Sequence, residues 1–239
     1  MKKRSLLVAT AMLLVAILAA TGATYAWFNG NTAAKSTIDM GVANASSLEI
    51  SSGSSGWKSV LSNTDLGIDG TKSWSDFSTT DLTTFYSDVY SGDENTIPSG
   101  YKVDNGVISV DINFRSTEEG DVKIAATSSL TAKDGTTANT KVAPALRVGL
   151  NGGNGAKIFA TAAGSYDNAV DSTTTNTGTQ TWSAINNSET IAAVKMTQNS
   201  ETGYYEGTAT FYFWVEGPLC NNSMTTASTT ANASLVFEQ

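Results

Sequence analysis

Apolar and polar residues alternate with a period of two along several stretches of this chain. In residues 107–115, Ile108, Val110, Ile112 and Phe114 fall on one side, and Ser109, Asp111, Asn113 and Arg115 on the other. That pattern predicts a strand with one face buried and one in water. Val122, Ile124 and Ala126 begin a second such strand. The short polar link 116–120 predicts that the two form a hairpin. Leu146, Val148 and Leu150 alternate with Arg147 and Gly149. The run Asn151-Gly152-Gly153-Asn154-Gly155 then predicts a turn. Residues 204–215 read as a long strand whose end, Phe211-Tyr212-Phe213-Trp214-Val215, is apolar on both faces, as in a central or doubly covered strand. Leu235 and Phe237 mark a last strand. The expected core is Ile108, Val110, Ile112, Phe114, Phe211 and Phe213.

Helical periodicity is weak. Residues 76–89, with Phe77, Leu82, Phe85, Tyr86 and Val89, read as a short helix or an irregular insert, and residues 161–190, rich in Thr, Asn, Gly and Ser, as a surface excursion. No repeat of fixed period and no linker divides the chain. Strands separated by turn clusters predict an all-β antiparallel sandwich with surface loop insertions, in its jelly-roll (Greek-key) form.

The N-terminus follows a different pattern. Lys2, Lys3 and Arg4 precede an apolar run from Leu6 to Ala20, interrupted only by Thr10. Its 15 residues suit the helix of a secretory signal and fall short of the ~20 of a spanning helix. Thr24-Tyr25-Ala26 predicts cleavage between Ala26 and Trp27, with Thr21-Gly22-Ala23 as a second position and a retained anchor as the alternative. The domain plan is a signal peptide, 1–26, and a single β-sandwich domain, 27–239. Cleavage leaves 11 basic and 22 acidic side chains.

Composition narrows the chemistry. Ser and Thr make up 62 of the 239 residues, a share that suits strands with wet outer faces. The chain has no histidine, so a His-ligated zinc, a His general base and a Ser-His-Asp triad are excluded. One cysteine forms neither an internal disulfide nor a cysteine metal cluster. A net charge of -8 opposes nucleic-acid binding. Asp65, Asp69, Asp93 and Glu94 stand in polar loops without the full set of calcium-loop oxygens, and read as solvated turn residues. Glu118 and Glu119 are adjacent and point to opposite sides, against a paired-carboxylate site. Cys220 has no Lys or Arg within ten residues to lower its thiol pKa. No catalytic residue, metal ligand or cofactor is expected. Trp57, Trp74 and Trp182, in polar surroundings, read as caps of the core or as platforms for sugar rings.

Three stretches resemble one family. Ala23-Thr24-Tyr25-Ala26-Trp27-Phe28 resembles the junction of exported TasA/camelysin proteins, cut by a SipW-type signal peptidase. Residues 108–123, with Phe114-Arg115-Ser116 and Asp121-Val122, resemble a strand pair of such proteins. Phe213-Trp214-Val215-Glu216-Gly217, Cys220 and Leu235-Val236-Phe237 resemble their C-terminal strands. The resemblance implies a jelly-roll subunit of extracellular biofilm-matrix fibres, with itself, the signal peptidase and accessory matrix proteins as partners. The metallopeptidase label of camelysin-type members does not carry over, since no His-Glu-x-x-His pattern exists here.

The N-terminal segment 27–48 bears on assembly. Ile38, Met40 and Val42 alternate with Thr37, Asp39 and Gly41, which predicts a strand with one apolar face. The residues allow pairing within the subunit or donation to a neighbour's sheet edge. The resemblance favours donation. The expectation is therefore a secreted, non-enzymatic fibre subunit assembled by N-terminal strand donation. The alternatives are a surface adhesin or carbohydrate-binding sandwich and, last, a secreted hydrolase.

Overall fold

The structure is a computed structural model, and it describes residues 34–43, 47–53, 55–68, 73–74, 76–83, 85, 107–169, 178–187, 192–216 and 229–239. The signal segment, the Ala26–Trp27 junction, Asp69, Asp93, Glu94 and Cys220 lie outside these residues.

Two mixed sheets pack as a sandwich. The first follows the order β14 (Ala192–Val194), β7 (Val122–Ile124), β17 (Thr229–Glu238), β1 (Ala34–Val42) and β3 (Val60–Leu61). β8 (Ser129–Asp134) also pairs with β17, β9 (Thr137–Ala138) with β8, and β4 (Ser73–Trp74) with β1. The second follows β12 (Gly164–Ala169), β13 (Gly178–Ala184), β11 (Ala156–Ala160), β10 (Leu146–Asn151), β16 (Tyr205–Glu216), β6 (Ile108–Ser116) and β2 (Glu49–Ser51). β5 (Asp76–Phe77) and β15 (Thr197–Gln198) join β16. Helical geometry among the described residues is confined to one 3-10 turn, Ala143–Ala145.

The alternating pattern becomes two-faced strands. β6 alternates buried and more open positions along its length, and Ile108, Val110, Ile112 and Phe114 all lie buried between the sheets. Phe211 and Phe213 stand beside them on the neighbouring strand β16, in the register Phe211 to Val110 and Phe213 to Ile108. Phe237, on the last strand of the opposite sheet, closes the core: its ring centroid lies 5.0 Å from that of Phe114 and 5.5 Å from that of Phe211. Trp74 plugs the neighbouring layer, 5.6 Å from Phe213.

Three expectations are corrected. The sheets are not antiparallel throughout: β1 runs parallel to β17, β13 to β11 and β5 to β16. Each parallel partner comes from a distant stretch or after a long connection, so no tight turn dictates its direction. β6 and β7 do not form a hairpin, because β6 pairs with β16 and β2 while β7 pairs with β17 and β14 in the other sheet. The link 117–121 is the place where the chain changes sheets. Residues 161–190 are not wholly loop, since β12 and β13 form an antiparallel ribbon within them.

The two sheets are also tied along an edge. Ile50 and Lys58 exchange backbone hydrogen bonds of 2.8 and 2.9 Å beside the second sheet, and two residues later the chain enters the first as β3. Among the described residues no helix is long and apolar enough to cross a membrane.

Candidate functional site

Two places combine unusual geometry with the residues singled out above: the slot that holds β1, and the outer face of the second sheet.

β1 contributes Ile38 and Met40 to the core, both fully buried, while Val42 is half buried at its end. On one side it pairs with β17 over eight register positions, from Lys35–Thr230 to Val42–Phe237. On the other, among the described residues, it pairs with the two-residue strands β3 and β4 at its opposite ends, and its Val42 N–H donates to the Ser59 carbonyl at 2.9 Å. Between them the Ile38 N–H donates to the Asn63 side-chain oxygen at 2.7 Å. A side chain thus stands where a strand would, and it blunts the edge. β1 is the first strand described, and β2, next in the chain, belongs to the other sheet. All its partners are therefore remote in sequence.

The outer face of the second sheet is divided. Towards the C-terminal end of β16 it is dry. Tyr212 and Trp214 pack there with Phe77, Leu82, Phe85, Val107 and Ile158 in a second apolar cluster. Leu82 adopts a left-handed backbone, φ 58°, rare for a side chain of its kind. The Thr79 hydroxyl oxygen accepts its N–H at 3.1 Å. Its side chain enters the space above Gly149, where a Cβ would come within 2.4 Å of a Leu82 methyl and 3.0 Å of the Trp214 ring.

A polar knot lies within this covered half. Arg147, opposite Trp214 in register, is fully buried. Its guanidinium donates from Nη1 to the carbonyls of Pro144 (2.7 Å) and Leu146 (3.0 Å), and from Nε to Gln180 Oε1 (3.4 Å). Trp182 covers it, with the guanidinium carbon 4.0 Å from the ring centroid. Gln180 Nε2 donates to the Thr79 carbonyl (2.5 Å) and to Glu216 Oε2 (2.8 Å), and Trp214 Nε1 donates to the same oxygen (3.0 Å). Burial pushes the Glu216 carboxyl above its usual pKa, opposed by Ser78, Arg147, Trp214 and Gln180 around it. Side chains of β10, β13 and β16 thus tie the 76–85 insert and the ribbon to the sheet. The arrangement offers hydrogen bonding and fixation.

Towards the other end of β16 the same face is wet. Thr208 and Thr210 donate across to Asn113 (3.1 Å) and Asp111 (2.6 Å) on β6. Arg115 donates to Glu49 Oε2 at 2.7 Å, and its guanidinium carbon lies 4.5 Å from the Trp57 ring centroid and 4.8 Å from that of Tyr204. Glu206, opposite Arg115 in register, is held below the usual carboxylate pKa, first by the Asn199 amide and then by the Thr202 hydroxyl.

The three tryptophans part company. Trp74 lies in the main core, Trp182 lies over Arg147, and Trp57 stands half buried at the wet face. Asp65 is bound by Lys58 and by the Ser62 N–H and hydroxyl, each of the latter at 3.0 Å, and the Lys58 hydrogen bond leads in lowering its pKa to about 2. Glu118 and Glu119 are exposed in the sheet-changing link. Among the described residues no group of three His, Cys, Asp or Glu stands ready for a metal ion. The sequence pattern missed Arg147, Gln180 and Glu216 as a group. The signal was Trp214: an apolar residue on the outer face means cover, and its cross-strand neighbour Arg147 shares that cover.

No family model, curated protein or solved structure matches the chain.

Proposed function

We propose that this protein is an exported structural subunit of TasA/camelysin type, with a jelly-roll sandwich, that assembles into extracellular matrix fibres by exchange of its first strand. The N-terminal charge and apolar pattern supports export by a SipW-type route. Strands β16 and β17, successive and long, in opposite sheets, support the Greek-key wiring. The observation that carries the assembly is the β1 slot. Its apolar side chains complete the core, its described partners are distant in sequence, and one flank is held, among the described residues, by short strands, the Ser59 carbonyl and the Asn63 side chain. A second copy's β1 makes the same contacts in the same slot. Donor and acceptor surfaces differ, so the contact is heterologous and propagates as an open filament.

Cysteines at Thr37 and Asn232, paired in the β1–β17 register, test this in a Cys220→Ser background. Strand exchange predicts that oxidised fibres run as a ladder of covalent multimers, while monomers close the bridge internally. Fibres that dissociate into bridged monomers overturn the exchange. A protein without residues 27–42 that still forms filaments does the same.

A further inference from the structure

The wet half of the second sheet's outer face is built as a strip with aromatic groups at both ends. At one end two separate segments bring Trp57 and Tyr204 to the same guanidinium, that of Arg115. Both rings are half buried, so each is fixed in place and partly open. At the other end the Phe85 ring stands 5.3 Å from that of Tyr212 and walls off the covered half. Between them run the cross-strand pairs Asn113–Thr208 and Asp111–Thr210, with Thr208 and Asp111 exposed. The stretch from Ser109 to Arg115 spans about 20 Å at the usual strand rise, the reach of a short oligosaccharide.

The chemistry of the strip selects its ligand. Its side chains are mostly hydrogen-bond acceptors, or groups that both give and accept. Glu49, Asp111 and Glu206 outnumber Arg115, whose charge Glu49 already meets. An anionic polymer is repelled by such a surface. A neutral polyol supplies hydroxyl donors to the carboxylates and amide, and presents C–H faces to flat rings.

We propose that this strip binds a linear, neutral polysaccharide, with Trp57 and Tyr204 stacking on sugar rings and Asp111, Asn113, Thr208 and Thr210 meeting the hydroxyls. The strands that carry Asp111, Asn113, Thr208 and Thr210, β6 and β16, lie in the sheet that does not contain β1, so this part of the site is separate from the exchanged strand. In a matrix it ties protein to glycan.

Affinity electrophoresis of the exported protein, through gels cast with hydroxyethylcellulose, soluble starch or polygalacturonate, tests the site. Retardation by at least one of the two neutral polymers is expected. Trp57→Ala and Tyr204→Ala each weaken it about tenfold, the scale of one lost aromatic stack. Trp57→Phe keeps most of it, and Thr131→Ala, on the opposite sheet, leaves it unchanged. If Trp57→Ala fails to fold, Asn113→Leu on the exposed face carries the same test and weakens binding several-fold. Retardation by neither neutral polymer, by polygalacturonate alone, or equally in every variant overturns the proposal. Filament formation, read separately by electron microscopy, does not enter this result.

Discussion

The two halves of the second sheet's outer face use the same strands for opposite purposes. Along β16, Thr208 and Thr210 stand in water and bond across to β6, whereas Tyr212, Trp214 and Glu216 are buried under the 76–85 insert and the β12–β13 ribbon. The change takes one step along a single strand. The wet half needs no cover, because its side chains hydrogen-bond to one another and to solvent. The dry half is apolar around two ionisable side chains, Arg147 and Glu216, bridged by Gln180, and a polar atom brought under cover costs free energy unless it is hydrogen-bonded. The polar knot supplies partners and thereby fixes where the insert and ribbon sit. A strand's outer face thus records whether something lies on top of it, even where the covering segment has no pattern of its own.

Truncating one side chain in each half separates the two. Trp214→Ala removes a buried ring from the second cluster, and Phe114→Ala one from the main core. Losses of ~3–5 kcal/mol are typical for each. Thr210→Ala and Asn113→Ala, on the wet half, remove exposed cross-strand bonds and cost about 0.5 kcal/mol or less. Urea unfolding measures all four. If Trp214→Ala falls with the wet-face variants, the insert is a loose cover and the outer cluster is not a second core.

Gly149 reports on the covered half with a smaller effect. A methyl group there meets a Leu82 methyl at 2.4 Å, too close to keep, and the Trp214 ring at a tight 3.0 Å. Gly149→Ala is expected to cost ~1–3 kcal/mol by overpacking. Leu82→Ala opens the space, so the double variant should lose clearly less than the sum of the singles. Strict additivity would mean that Leu82 does not sit over Gly149 in solution.

Much of the sandwich was legible because its strands are half buried: alternation over 107–115 names the inward residues directly. The pairing was less so. Nothing in residues 117–121 says that the chain changes sheets rather than turning back, since a polar link serves both. β1's pattern reveals an apolar face but not the direction of its partner. The insert and ribbon were least legible. Their buried residues are few and widely spaced, and no pattern marks Arg147 and Glu216 as buried until the covering segments are in place. Trp182 drew notice as an aromatic in polar company, yet its role depends on Arg147 beneath it.

The smallest expected effects are those of pH, and they differ in sign between a covered carboxyl and an open one. Glu216 has its folded pKa raised by burial, so the fold favours its protonated form. That contribution is complete below the ordinary glutamate value and is lost as pH rises through the raised one. Asp65 has its pKa lowered to about 2, with the Lys58 hydrogen bond the leading cause. Its contribution is complete above the ordinary aspartate value and is lost as pH falls towards 2. Because Asp65 and Lys58 sit at the surface, where solvent screens them, its share is the smaller. Glu216→Gln keeps an acceptor for Gln180 and Trp214 and removes the charge. Relative to the parent protein, this variant should gain stability as pH rises from 4 to 8. Asp65→Asn should lose its deficit as pH falls from 5 to 2. Thermal melts across both ranges measure the two slopes. A Glu216→Gln variant that grows weaker towards pH 8 would mean that Arg147 outweighs burial, and that the knot is held by charge rather than by neutral hydrogen bonds.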